Sequence, residues 1–242
     1  MLRGLIFDMA DVLYDATAWQ RWLLQLLSRL GVQADYRTFY HAWDRYYLVD
    51  VQCGRREFNE AFQDFLLANG LTRGQIDEVE AACRIRRTEL ERDARPFPCV
   101  AATLRRLTDD GLSLAVLTNA ACPAAELQAK LNHWGLGARF QSVWSSFDLE
   151  AAKPAAVCYQ TALESLQLGA KQVAYVGHDA RSLSGAARIG LRTIAINHES
   201  GARADIFVGG FGDLPTAIKP WRTTQLSSPK PAVFADRWTQ AA

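Results

Sequence analysis

The chain opens on a short apolar run, Leu5-Ile6-Phe7, that ends in a carboxylate at Asp8. From Thr17 the apolar positions Trp19, Trp22, Leu23, Leu26, Leu27 and Leu30 fall three and four apart, which predicts a helix that Gly31 ends. Thr17 and Gln20 have the spacing of a capping box, so Thr17 is expected to open that helix. Helical spacing continues over about 35–47, 56–68 and 72–90, punctuated by Gly54 and Gly70, and nothing in that block alternates as a strand would. After Pro96-Phe97-Pro98 the pattern changes to short apolar runs at 112–117, 140–144, 173–176, 193–196 and 206–208 with helical spacing between them. Such alternation predicts an α/β fold: a Rossmann-like parallel sheet core, residues 1–15 and 94–218, with an inserted all-helical cap domain over 16–93. From Lys219 to the end, Pro, Ser and Thr are frequent and periodicity is lost, which predicts a tail over 219–242, with Trp221, Phe234 and Trp238 as residues that would tie it down.

Composition narrows the function classes. The 242 residues are 49% hydrophobic with a formal net charge of +1. That supports a sizeable core and gives no electrostatic pull toward nucleic acid or membrane, so neither partner is expected and a small-molecule substrate is. Cys53, Cys83, Cys99, Cys122 and Cys158 are odd in number and lack CxxC spacing, which argues against a disulfide framework or a zinc site and for reduced, mostly buried thiols. With no apolar leader and no long uncharged run, a cytoplasmic location is expected.

In an open parallel sheet, ligands bind outside the carboxyl ends of the strands, and Asp8 stands at such an end. It is the candidate nucleophile, a carboxylate that has to stay ionised in order to attack. Lys153, ahead of a helical run through Tyr159, is the candidate positive charge for Asp8 and for charge developing on a substrate. Thr118, closing Leu114-Ala115-Val116-Leu117, brings a hydroxyl and Asn119 an amide, both suited to an anionic oxygen.

Four segments, FDMADVLYD, LTNA, KPAAVCY and YVGHDARSLSGAARIG, resemble in order and spacing the four motifs of the haloacid dehalogenase (HAD) superfamily. The helical block between the first two looks like its C1 cap, and the likeness covers about residues 1–218. The resemblance implies a hydrolase in which Asp8 forms a covalent aspartyl intermediate, with Thr118 and Lys153 catalytic and with Asn119, Ala10, Asp11 and His178 around the substrate. It also implies a Mg2+ site made of Asp8, the backbone carbonyl of Ala10, and Asp179.

Two departures bear on the chemistry. Where phosphatases of the superfamily carry an acid/base aspartate this chain has Ala10, and general acid/base catalysis is worth roughly a hundred- to ten-thousand-fold. Asp11 stands where a glycine is usual, a turn-stabilising aspartate in a backbone conformation that Asp tolerates. In the fourth motif Gly177 is followed by His178 and Asp179, and Gly185-Ala186 arrives one residue early. That shortened spacing resembles the metal-free 2-haloacid dehalogenase branch, although the side chains of that branch at the Ala10 and Ser182 positions are missing. The phosphonate-cleaving branch has alanine at the Ala10 position but needs a cap lysine, and no lysine precedes Lys130. Arg45, Arg55 and Arg56 are the cap cations with reach toward an anion. Three classes follow: first, a hydrolase of a small phosphorylated metabolite with Mg2+; second, a metal-free dehalogenase-like hydrolase; third, a non-catalytic member that binds an anion or a protein.

Overall fold

The computed structural model describes residues 1–32 and 35–222. Strand β1 (Gly4–Phe7) is followed by α1 (Thr17–Arg29), α2 (Tyr36–Tyr46), α3 (Leu48–Gln52), α4 (Phe58–Ala68) and α5 (Arg73–Asp93). The chain continues through α6 (Val100–Asp109), β2 (Ser113–Thr118), α7 (Ala124–His133), β3 (Ser142–Ser145), α8 (Ser146–Leu149) and α9 (Ala156–Leu166). It closes with β4 (Val173–Gly177), α10 (Ala180–Arg188), β5 (Arg192–Ala195), β6 (Ile206–Phe207), α11 (Leu214–Ala217) and α12 (Lys219–Arg222).

All six strands are parallel, in the order β3-β2-β1-β4-β5-β6. The inner strands β1, β2, β4 and β5 are buried on both faces, so their side chains alternate between two apolar layers instead of between core and water. Leu5, Phe7, Val116 and Val176 point into a layer shared with α6 and α7, where Phe7 stacks on Phe211 with ring centroids 5.8 Å apart. Ile6, Ala115, Leu117 and Tyr175 point into the opposite layer, with α9 and α10. Each fully buried Leu or Phe contributes about 1.5–3 kcal/mol relative to exposure. Because β1 lies centrally and the chain crosses to β2 on one side and to β4 on the other, the crevice at the strand ends opens directly above Asp8.

Helices α1 to α5 build a separate apolar cluster, in which Leu23, Leu27, Phe39, Trp43, Phe62, Phe65 and Val79 are buried. No strand lies between Phe7 and Ser113 among the described residues, as the periodicity predicts. Contacts to the sheet side include Ser146, whose hydroxyl donates to the carbonyl of Gln52 at 2.7 Å, and Arg55, which donates to the carbonyl of Glu150 at 3.3 Å.

Helix α1 opens at Thr17 as expected, and two other expectations are corrected. Thr17 does not cap α1: its amide and hydroxyl both donate to Asp15 Oδ1, a local Asx turn, and the N-cap is Ala16 with no side-chain bond. The capping box belongs to α5 instead, where Thr72 and Gln75 bond reciprocally. The expected tail begins as structure, since Lys219–Arg222 form α12 and Arg192 lies over the Trp221 ring at 4.9 Å. Phe234 and Trp238 lie outside the described residues.

Candidate functional site

Asp8 is the first residue beyond β1, and its amide donates to the carbonyl of Val176 at 2.9 Å, so the ladder to β4 fixes its backbone. The residue is 4% exposed. Oδ1 accepts from the Met9 amide at 2.8 Å and from the Thr118 hydroxyl at 2.9 Å. Oδ2 accepts from Lys153 Nζ at 2.5 Å and from the Tyr175 hydroxyl at 3.1 Å. Burial alone would push the Asp8 carboxyl up; the charges of Lys153 and His178, with the hydrogen bonds of Lys153 and Thr118, outweigh it and hold the group below the ordinary carboxylate range.

Lys153 is buried at the same place, and its loop is braced by Asn119. Asn119 Oδ1 accepts from the Lys153 amide at 2.8 Å, and its Nδ2 donates to the Lys153 carbonyl at 3.2 Å. Sequence reading put Asn119 toward the substrate; the structure has it gripping the backbone that carries the lysine. Thr118 likewise turns its hydroxyl to Asp8.

Ala10 puts no carboxylate at the position two residues after Asp8. Asp11 adopts φ 56°, the left-handed conformation that its glycine-like position predicts. Its Oδ1 accepts from the Ala16 amide at 2.9 Å, the turn-stabilising bond expected of it, and its carbonyl accepts from Asn197 at 3.0 Å. Partial burial raises its carboxyl above the ordinary range, against the pull of His178 and the Ala16 amide.

His178 stands between the two aspartates. Its Nδ1 lies 4.0 Å from Asp8 Oδ2 and its Nε2 lies 3.8 Å from Asp11 Oδ2, both beyond direct hydrogen bonding. Nδ1 is buried and has no hydrogen-bond partner among the described residues. Asp179 follows as the N-cap of α10, its Oδ1 accepting from the Ser182 amide at 2.8 Å.

Asp8, His178 and Asp179 bring one ligand atom each within 4.8 Å of one another. As a donor set for Mg2+ the group is a poor match, because a small hard cation wants a near-octahedral shell of oxygens. Here one of the three donors is an imidazole, one is a helix cap, and the Asp8 oxygen nearest His178 already holds an ammonium. The cap arginines are engaged elsewhere. Arg56 pairs with Asp64 and Glu60, Arg55 pairs with Asp50, and Arg45 lies over the Tyr46 ring.

Tyr175 was not anticipated. In sequence it is one more large residue in the apolar run of β4; the one available signal is that a buried tyrosine needs a partner for its hydroxyl.

A model of the haloacid dehalogenase-like hydrolases matches residues 2–190. The (S)-2-haloacid dehalogenase 4A of Burkholderia cepacia is 33% identical over 103 residues, a match spanning 43% of this chain and 44% of that protein, less than half the length of either. Among solved structures, the L-2-haloacid dehalogenase of Xanthobacter autotrophicus superposes with a TM-score of 0.63 at 20% identity, over 90% of this chain and 98% of that one. A predicted phosphoglycolate phosphatase of Haemophilus somnus gives 0.64 at 17% identity, over 89% and 97%. At these identities the structural likenesses speak to the fold. No helix among the described residues is long and apolar enough to cross a membrane.

Proposed function

The chain belongs to the haloacid dehalogenase-like hydrolases, and within that family we propose that Asp8 is the nucleophile of a metal-free hydrolysis of a carbon–halogen or similarly activated carbon–heteroatom bond. One observation carries the reading: the Asp8 carboxylate is buried against Lys153 at 2.5 Å, and the position two residues on is Ala10, whose side chain cannot protonate a leaving group. A halide departs as a stable anion and needs no proton, whereas an alkoxide leaving a phosphate ester does. The curated relative named for 2-haloacid dehalogenation and the shortened fourth motif support the same choice.

In the first step an Asp8 oxygen attacks the carbon that bears the leaving group. A C–O bond forms, the C–X bond breaks, and the halide leaves with the bonding pair. In the second step water adds to Cγ of the Asp8 ester. His178 Nδ1, 4.0 Å from Asp8 Oδ2, takes one proton from that water and returns it to the departing alcohol oxygen; the water's second proton leaves the new Asp8 carboxyl for solvent, which restores the carboxylate. Thr118 and Lys153 keep Asp8 ionised and oriented before attack.

The phosphorylated-metabolite reading, ranked first on sequence, rests on the Asp8, Thr118 and Lys153 constellation, which both chemistries use. We rank it second, a choice supported by the donor set around Asp8 and by the alanine at position 10. A panel of 2-haloacids, uncharged haloalkanes and haloamides, and phosphate esters, each with and without Mg2+, separates the two. Halide release without Mg2+, abolished in Asp8→Asn, is the expected result. Mg2+-dependent phosphate release with no dehalogenation would sink the proposal. A single turnover in heavy-oxygen water should give product without label, because the transferred oxygen comes from Asp8.

A further inference from the structure

Lys153 carries three N–H donors and no acceptor. All three are engaged within the protein: Asp8 Oδ2 at 2.5 Å, the Tyr175 hydroxyl at 2.8 Å and the Leu117 carbonyl at 3.1 Å. The direction of every bond in this group is therefore determined. The Tyr175 oxygen has to accept from the ammonium, so its single proton goes to Asp8 Oδ2, 3.1 Å away. The three side chains form a closed ring of hydrogen bonds around one carboxylate oxygen.

The other end of the carboxylate is equally occupied. A carboxylate has about four lone-pair sites, and Asp8 meets the Met9 amide, the Thr118 hydroxyl, Lys153 and Tyr175. Attack on a substrate requires one of these bonds to lengthen, and the Tyr175 bond is the longest of the four. The phenol ring itself is locked. It packs edge-on against Tyr159, with centroids 5.5 Å apart, and covers Gly177, where an added Cβ would meet its Cε1 at 2.5 Å.

We infer that Tyr175 is a positioning residue of the nucleophile: it closes the hydrogen-bonded ring with Lys153 and Asp8, confines Lys153 to the service of Asp8 and leaves the ammonium no N–H for the substrate. Charge developing on the substrate is then met by groups other than Lys153. The ring also occupies the carboxylate oxygen that a divalent cation would have to share. Burial pushes the Tyr175 phenol well above its ordinary range, with the charge of Asp8 adding, so the hydroxyl keeps the proton that the ring requires. The charged and titratable groups facing Asp8 are Lys153, Tyr175, His178 and Asp11, from three segments of the chain.

The inference rests on the reading of Asp8 as nucleophile, and a double-mutant cycle separates the two. Tyr175→Phe, which keeps the ring and removes the hydroxyl, should lower the folding equilibrium constant about tenfold or more in urea titrations, as expected for a hydrogen bond to a charged group. In an Asp8→Asn background the same change should cost less than about threefold, because the ionic acceptor is gone. Equal losses in both backgrounds would overturn the inference, since a merely structural hydroxyl gives no coupling. With 2-chloropropionate as probe, Tyr175→Phe should slow ester formation at saturation and leave the half-saturating concentration unchanged. A change confined to the half-saturating concentration would overturn it as well. Should Tyr175→Phe not fold, protein carrying isotope-labelled tyrosine decides: the Tyr175 ζ-carbon resonance should move between wild type and Asp8→Asn, and an unmoved resonance counts against the ring. Activity retained in Asp8→Asn would refute the nucleophile while the coupling still tests the ring.

Discussion

Gly177 and Tyr175 lie two residues apart on the same face of β4, and the tyrosine ring fills the space in which a side chain at 177 would begin. A Cβ added to Gly177 would stand 2.5 Å from Cε1 and 3.2 Å from the hydroxyl oxygen of Tyr175. Gly177→Ala is therefore expected to destabilise the protein by about 1–3 kcal/mol through overpacking and to displace the phenol from Asp8. In a Tyr175→Val background the same alanine should be nearly neutral. Urea unfolding of the four proteins checks this, and equal costs in both backgrounds would refute it.

Lys153→Met leaves a buried carboxylate without its ammonium, which is expected to cost about 3–5 kcal/mol at neutral pH. In wild type the depressed Asp8 carboxyl contributes stability that is present above the ordinary carboxylate range and lost as pH falls through the folded-state value. In the variant, burial pushes the carboxyl up instead, so its contribution is present at low pH and lost as pH rises. The stability gap between the two proteins should narrow as pH falls toward about 4. Chemical denaturation across that range tests the sign.

Asp44 on α2 lies within electrostatic reach of Glu199, Asp179, Arg181 and His178. Partial withdrawal from water, with Glu199 and Asp179 adding, pushes its carboxyl up to about 6. Its folded-state value lies above the ordinary one, so it contributes stability that is complete below about 4 and lost as pH rises through about 6. Asp44→Asn should match wild type in melting temperature at the acid end of this window and exceed it above. A constant offset across the window would contradict the assignment.

His178→Gln removes the base while keeping a polar side chain of similar length. Ester formation on Asp8 should persist and its hydrolysis should slow by roughly a hundredfold or more, so that adduct accumulates. Intact-protein mass spectrometry after exposure to 2-chloropropionate reads this directly. Parallel loss of both steps would assign His178 to substrate binding instead.

Ala10→Asp, alone and with Asp11→Gly, restores the acid that phosphatases of the family carry. On the phosphate-ester reading, turnover of an alkyl phosphate with Mg2+ should rise by roughly a hundredfold or more, with nitrophenyl esters gaining least. On the metal-free reading preferred here, neither variant gains phosphatase activity. A large gain would reverse the ranking.

Much of the architecture was legible because its causes are local. Apolar runs of strand length alternating with helical spacing placed all six strands within a few residues, and Gly54 and Gly70, both at positive φ, mark the breaks that their residue type predicts. Asp8 and Thr118 were readable because they stand at or just beyond strand ends, where the side chain has to meet the crevice, and Lys153 because it stands in the loop that leads into α9. The helix start at Thr17 was read correctly, but its capping box was not, because Ser, Thr and Asp compete for the same amides and Asp15 won.

By itself, then, the sequence determined the parallel sheet, the helical block between its first two strands and the carboxylate at the first strand end, since period and residue type act over a few neighbours. Only the tertiary structure decided what surrounds that carboxylate. Tyr175 is a core aromatic by pattern, and its bond to Asp8 spans 167 positions of sequence. Asn119 grips Lys153 across 34 positions, and the cap arginines turn to nearby acids and rings instead of to the cleft. A hydrogen bond between distant segments depends on where packing delivers two atoms to within an ångström, and no local pattern of apolar and polar positions encodes that distance.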